Sequence, residues 1–202
     1  MAPRKTLRVE DLTFIIDSRE QRPLEFSFGD AADTQKKVRT IVQKLDTGDY
    51  SVAGLEKSEC VIERKSLDDL LACVGRERER FDREIHRLLA FNCKAVVVEA
   101  SWENLRSGTV PGPMLDTPWR SSLDPRQVMG SVIGWQALGI PFFFHADRTV
   151  IANYVGNMLW IHARRCYERL LNFVPGTRIE SDPEAILLQE QSVRNRDTPE
   201  EP

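Results

Sequence analysis

Gly48-Asp49-Tyr50-Ser51-Val52-Ala53-Gly54, then the polar stretch Leu55 to Glu59, then Cys60-Val61-Ile62-Glu63-Arg64-Lys65: two short β-prone runs around a polar turn read as a hairpin. Side chains alternate faces along a strand, so Glu63 and Lys65 point one way and Arg64 the other. The hairpin carries Asp49 from the neighbouring strand toward Glu63, fourteen residues further along the chain. Two carboxylates converging on one point repel unless a divalent cation sits between them, and oxygen donors suit Mg²⁺ or Mn²⁺. A lysine one step along the same face can orient or deprotonate an attacking water, or steady charge building on a phosphate. The metal polarises the phosphate and lowers the pKa of bound water. An acid followed by Glu-x-Lys is the arrangement that metal-assisted phosphodiester hydrolysis needs; taken alone it also fits an exposed strand with a surface ion pair.

Upstream of the hairpin, residues 12–17 (LTFIID) form an apolar run ending on an acid, which suits a buried strand. Ser18 to Lys37 is mainly loop by composition, and the β-branched content of Val38 to Leu45 favours a strand. Downstream, Ser66-Leu67-Asp68-Asp69 before an apolar stretch is a capping-box-like helix start. Phe81, Ile85, Leu88 and Leu89 make an apolar stripe at helical spacing across Arg76 to Phe91. Lys94 to Ala100 is a near-continuous apolar run, hence a buried and parallel strand. A helix over Pro125 to Leu138, a strand over IPFFFH and a long amphipathic helix from about Arg148 to Phe173 follow. Ser107 to Asp124 has the composition of a long mobile loop. Strand, hairpin, helix, strand, helix, strand, helix is the order of an α/β sandwich around a mixed sheet. The domain is expected over residues 1–174, with an acidic, disordered tail over 175–202.

The chain of 202 residues is 41% hydrophobic and 29% charged, ordinary values for a soluble domain with its own core. Its net charge of −3 is concentrated at the end. Residues 175–202 carry three basic and seven acidic residues, which leaves the remainder at +1 and neutral on the question of a nucleic-acid partner. No apolar run approaches the length of a membrane span. No secretory signal is read at the N-terminus, so a cytoplasmic location is expected, or a nuclear one in a eukaryote. Cys60, Cys73, Cys93 and Cys166 are scattered, without a CxxC pair, and read as reduced thiols. His86, His145 and His162 show no ligand spacing.

Three stretches together carry a resemblance: Ile15-Ile16-Asp17-Ser18-Arg19-Glu20, Gly48-Asp49-Tyr50, and Val61 to Asp69. They resemble the signature GD…ERKxxxD, with a preceding Asp-x-Arg-Glu element, of the XPF-type structure-selective endonucleases, a PD-(D/E)XK-like family. The parts fall in the family's order across roughly residues 12–173. The resemblance implies a restriction-endonuclease-like fold, a three-layer α/β sandwich with a central mixed sheet. It also implies a Mg²⁺- or Mn²⁺-dependent DNA endonuclease acting at branched, flap or fork structures. Carried over residue by residue, it implies that Asp17, Asp49 and Glu63 bind the metal, with Glu20 near it through water. Lys65 would be the base or the water-orienting cation, and Arg64 and Asp69 would complete the site.

Alternatives stand beside the outer members. Asp69 can equally cap its helix. Arg64 can be a scaffold partner for Asp17 or Glu20, and Arg19 and Glu20 can form a loop ion pair. Arg76 and Arg80 share a face and, with Arg19 and Arg120, are the expected DNA contacts; for Trp119 the alternative to a base-stacking role is packing on the core. Val128, Val132, Trp135, Tyr154, Met158, Leu159 and Trp160 are expected either in the intrachain core or in a homodimer interface, since family members pair through such helices. No P-loop and no paired helix-hairpin-helix pattern is found, so a stand-alone nuclease domain is expected. The competing reading is a catalytically silent DNA-binding partner subunit; the presence of Asp17, Asp49, Glu63 and Lys65 favours the enzyme. A third reading keeps the chemistry on RNA or unbranched duplex.

Overall fold

The structure, a computed structural model, describes residues 7–28 and 36–173. Chain contacts divide it into residues 1–164, the unit described below, and residues 165–202. The expected boundary at 174/175 and the expected tail lie outside the described residues.

A short 3-10 turn, Val9–Asp11, precedes β1 (Thr13–Ile16), β2 (Ser27–Phe28), β3 (Lys36–Lys37), β4 (Arg39–Val42), β5 (Tyr50–Val52) and β6 (Cys60–Ser66). Two helices follow, α1 (Leu67–Val74) and α2 (Arg78–Leu89), then β7 (Cys93–Glu99), α3 (Trp102–Ser107), β8 (Thr109–Val110), β9 (Thr117–Pro118), α4 (Pro125–Ala137), β10 (Phe142–Phe144) and α5 (Arg148–Phe173). Six strands make the central sheet in the order β10-β7-β6-β5-β1-β4. β10, β7 and β6 run parallel, β5 is antiparallel to both β6 and β1, and β4 is parallel to β1. The sheet is mixed because one hairpin, β5–β6, joined by residues 53–59, is set among strands that need crossovers.

Two hydrophobic cores lie on opposite faces of this sheet. On one, Phe14, Ile16, Tyr50, Ile62, Ala95 and Val97 pack with Ile151, Val155 and Leu159 of α5. On the other, Val61, Val96 and Val98 pack with Leu70 of α1, Phe81, Ile85 and Leu88 of α2, and Val128, Val132 and Trp135 of α4. Alternation along β6 and β7 produces this division, and burial on both faces explains the unbroken apolar run in β7. The result is an α/β three-layer sandwich. No helix among the described residues is long and apolar enough to cross a membrane.

The expected loop over Ser107 to Asp124 is more ordered than its composition suggests. α3 begins just before it, capped by Ser101, whose Oγ accepts from the Asn104 amide, and ends on Gly108 in the left-handed region. β8 and β9 then pair as a small two-stranded ribbon. Asn104 ties the ribbon down by donating to Asp116 Oδ2 at 2.6 Å and to Thr109 Oγ1 at 3.2 Å. Likewise, Ser18 to Lys37 contains the β2–β3 pair. Trp119 packs against the second core.

Candidate active site

Gly48 has a φ of +75°, and a Cβ there would come within 2.2 Å of Val61 Cγ2. Only glycine fits both the left-handed backbone and the close approach to β6. That turn aims the next residue. The Asp49 amide donates to the Ile62 carbonyl (2.9 Å), its carbonyl accepts from the Asp17 amide (2.8 Å), and its Oδ2 accepts from the Arg64 amide (2.7 Å). Asp49 is thus stitched between the end of β1 and the middle of β6. Burial pushes its carboxyl up to about 6, against the pull of the Arg64 amide and the Lys65 charge.

Glu63 and Lys65 share the face of β6 that meets α1 and α2, and both are buried. The Lys65 ammonium is paired with Glu63 Oε1, lies 3.8 Å from Glu84 Oε2 of α2, and sits 5.2 Å from the Phe81 ring centroid. Burial, then the nearby Asp49 charge, raises the Glu63 carboxyl well above its ordinary value, with Lys65 opposing. Burial alone would lower the Lys65 pKa; the Glu63 and Glu84 carboxylates outweigh it and hold the lysine above its usual value. Cys73 of α1 stands behind this group, and burial pushes its thiol up to about 11.

Arg64 points to the opposite face. Its guanidinium forks onto Glu20, with Nε and Nη2 each 2.8 Å from a carboxylate oxygen, and Nη1 reaches Glu99 at 3.1 Å. Arg148, at the start of α5, pairs with the same Glu99 oxygen and donates to the Arg22 and Pro23 carbonyls. The loop after β1 is thereby clamped to β6, β7 and α5, and Tyr50 Oη adds an anchor by accepting from the Leu24 amide at 3.0 Å. Arg64 is therefore a scaffold for Glu20. Arg19 pairs with Asp17 instead of Glu20: Asp17 Oδ1 accepts from Arg19 N (2.9 Å) and Nε (2.7 Å), and Oδ2 from Arg19 Nη2 (3.2 Å) and Leu45 N (2.6 Å). Burial works to raise the Asp17 carboxyl, but the Arg19 side chain and these backbone amides hold it below its ordinary value.

Among the described residues, the donor oxygens of Asp17, Asp49 and Glu63 do not close to within 4.8 Å of one another. Cations on the chain take up part of the set, Arg19 on Asp17 and Lys65 on Glu63, while Glu20 is engaged by Arg64. Asp49 and Glu63 nonetheless suit a hard divalent cation: one carboxylate stands in the turn entering β5 and the other on the paired β6, both are raised by burial, and the Glu63 charge is further opposed by Asp49.

The remaining expected residues lie further out. Asp69 is the N3 member of the α1 capping box: its Oδ2 accepts from Ser66 Oγ at 2.7 Å and its amide donates back at 3.1 Å. Arg76 does not share a helix face with Arg80, because α2 begins at Arg78. Both nevertheless line one cavity of about 430 Å³ at the α1–α2 turn, and Arg80 is held by Glu77 at 2.5 Å. Arg120 is exposed beyond β9. Val128, Val132, Trp135 and Leu159 lie in the intrachain cores, with Tyr154, Met158 and Trp160 packed against them. Three charged residues that surround the centre escape a reading by motif: Glu84, Glu99 and Arg148. Glu84 left one trace, an acid within the Phe81–Ile85–Leu88 stripe.

A mixed-sheet sandwich whose hairpin presents Asp49, Glu63 and Lys65 together defines a nuclease domain of XPF type. The family model described as the ERCC4 domain matches residues 16–158, and the chain belongs to that family. The family is one of nucleases, generally dependent on a divalent metal. XPF from Aeropyrum pernix is similar in fold at 18% identity and a TM-score of 0.51, over 82% of this chain and 75% of that one. The structure of XPF from Aeropyrum pernix in complex with DNA is similar at 18% identity and a TM-score of 0.51, over 93% of this chain and 86% of that one. No curated protein matches the chain.

Proposed function

We propose that this chain is a divalent-metal-dependent endonuclease that hydrolyses phosphodiester bonds in DNA, at branched, flap or fork structures. The observation that carries it is the juxtaposition of Asp49, in the turn that enters β5 and bonded to β6, with Glu63 and Lys65 of β6, both carboxyls being raised by burial. Asp49 and Glu63 would hold Mg²⁺ or Mn²⁺, with Asp17 on the same rim once Arg19 gives it up. Bound there, the ion would supply Lewis acidity at the phosphate and a more acidic water. Lys65 would serve as a fixed cation, its ammonium orienting the water or meeting charge that develops on a phosphate oxygen. Glu84 and Phe81 keep it in place. Arg64, locked between Glu20 and Glu99, orients its own backbone amide toward Asp49. Asp69 is assigned the helix cap alone. The similarity to an XPF–DNA complex supports DNA as the substrate.

Pairing of two copies belongs to the same reading. Since Val128, Val132 and Trp135 face inward, the interface falls to Ile133 and Leu138, which α4 and its end leave 55% and 51% exposed.

A second reading has one observation in its favour. With Arg19 on Asp17 and Lys65 on Glu63, the carboxylates are neutralised without a metal, as a silent DNA-binding subunit would need. Cleavage of labelled flap, fork, plain-duplex and RNA substrates with Mg²⁺ or Mn²⁺, wild type against Glu63→Gln, separates the two. Metal-dependent cutting of branched DNA that Glu63→Gln loses supports the enzyme. Binding without cutting under every condition transfers the chain to the silent class.

A further inference from the structure

The cavity at the α1–α2 turn is walled by Gly75, Arg76, Glu77, Arg78, Glu79, Arg80 and Arg83 and measures about 430 Å³. Two of its four arginines are walls. Arg78 is 3.0 Å from Asp82, donates to Ser131 Oγ at 2.8 Å, and lies 4.7 Å above the Trp135 ring. Arg80 is bound to Glu77. The other two are available: Arg76 is 82% exposed, with its Nε 4.0 Å from Glu77, and Arg83 is exposed with no ion pair or hydrogen bond among the described residues. Two guanidinium forks facing one recess are the chemistry that recognises a phosphate group.

The recess adjoins the proposed reaction centre. Arg80 precedes Glu84 by four residues on one face of α2, about 6 Å along the axis, and feels the Glu84 charge. Glu84 Oε2 in turn lies 3.8 Å from Lys65 Nζ. Phe81, next to Arg80, carries the Lys65 ammonium over its ring. Successive phosphates of one strand are separated by a single sugar, a comparable step.

Building on the nuclease reading above, we propose that this cavity seats an internal backbone phosphate of the cleaved strand, adjoining the scissile one, with Arg76 and Arg83 as its ligands. The seat sets where along the strand the scissile phosphate meets Lys65. It makes Arg76 and Arg83 positioning residues, and it reads backbone, not base sequence.

The test walks a single methylphosphonate, which removes one phosphate charge, along the cleaved strand of the preferred DNA substrate. Wild type is compared with the Arg76→Gln/Arg83→Gln double variant. In wild type, one position beside the cut raises KM roughly tenfold, the worth of a charge-assisted contact. In the double variant KM is already raised by that factor, more than kcat falls, and the same methylphosphonate adds nothing. The slope of log affinity against log salt falls by about 0.9, one phosphate contact. Arg83→Gln alone, compared with Arg83→Lys, gives the same readout should the double variant fold poorly, with Lys recovering part of the loss. Additive losses at that position, or an unchanged KM, overturn the seat. So does a KM rise reproduced by removing a terminal 5′ phosphate and by no internal substitution. If wild type cuts no DNA at all, it is the nuclease reading that falls; cutting with an unshifted KM sinks the seat alone.

Discussion

With its ammonium between Glu63 and Glu84 and over the Phe81 ring, Lys65 keeps its proton through neutral pH, which favours a fixed cation over a general base. Lys65→Ala should lower kcat by about 100-fold or more. It also leaves two buried carboxylates unpaired, a loss on the order of 3 kcal/mol. The melting temperature of the metal-free variant should therefore drop, and Mn²⁺ should restore part of it. Asp49 makes a separate prediction from linkage. Its folded value of about 6 stands above the ordinary 3.8, because burial disfavours the anion. A carboxyl raised on folding costs stability as pH climbs from about 4 through 6, and the cost is complete above that window. Thermal melts without metal should thus rise as pH falls from 7 to 5. The trend should become shallower in Asp49→Asn, with the raised Glu63 carboxyl supplying the remainder; a trend unchanged in that variant would show that Asp49 does not titrate in this window. Asp17 and Glu20, held below their ordinary values once hydrogen bonds outweigh burial, act only at lower pH and do not disturb that window.

At the scale of single elements, the β5–β6 hairpin and the cap of α1 are the sharpest cases. Gly48→Ala forces a side chain onto a φ of +75° and against Val61, so it should destabilise by more than 1 kcal/mol. Activity should fall with it, because Asp49 follows the turn. Asp69→Ala removes the side-chain half of the α1 capping box, leaves Ser66 as the N-cap, and should cost at most about 1 kcal/mol in chemical denaturation. Its kcat should stay within a few-fold of wild type, since the carboxylate serves Ser66; a kcat collapse with the fold intact would put Asp69 back in the centre. These elements were readable beforehand because their signals are local: alternation around a polar turn, Ser-x-x-Asp before an apolar run, and Gly before an acid. α3 and the β8–β9 ribbon were not, being six and two residues long, too short for periodicity to register. The Asp17–Arg19 pair depends on the chain bending after β1, and Arg148 reaches Glu99 across 49 residues. Nothing in neighbouring residues announces such partners.

Over the whole molecule, the two cores divide the labour. The α5 face holds the loop that carries Glu20, and the α1–α2–α4 face holds the wall behind Lys65. Phe81→Ala should cost roughly 3–5 kcal/mol, as a fully buried aromatic does. It should also weaken cleavage beyond its effect on folding, because the Lys65 ammonium loses its ring. For association, Ile133→Asp with Leu138→Asp should shift sedimentation from dimer to monomer while secondary structure is kept; a wild type that sediments as a monomer at high concentration would count against pairing. The fold class was readable from the order of elements, whereas the partition of charge between the two faces of β6 required the packed sheet. Asp49 and Glu63, in the proposed reading, together hold a divalent ion beside Lys65. Calorimetric titration of Mn²⁺ into the full chain at pH 7 tests it most directly. Saturable binding is expected, and it should weaken as pH falls through about 6, where Asp49 takes up its proton. That binding should be lost in Asp49→Asn and in Glu63→Gln, with melting curves still showing folded protein. Equal Mn²⁺ binding by wild type and both folded variants would contradict it.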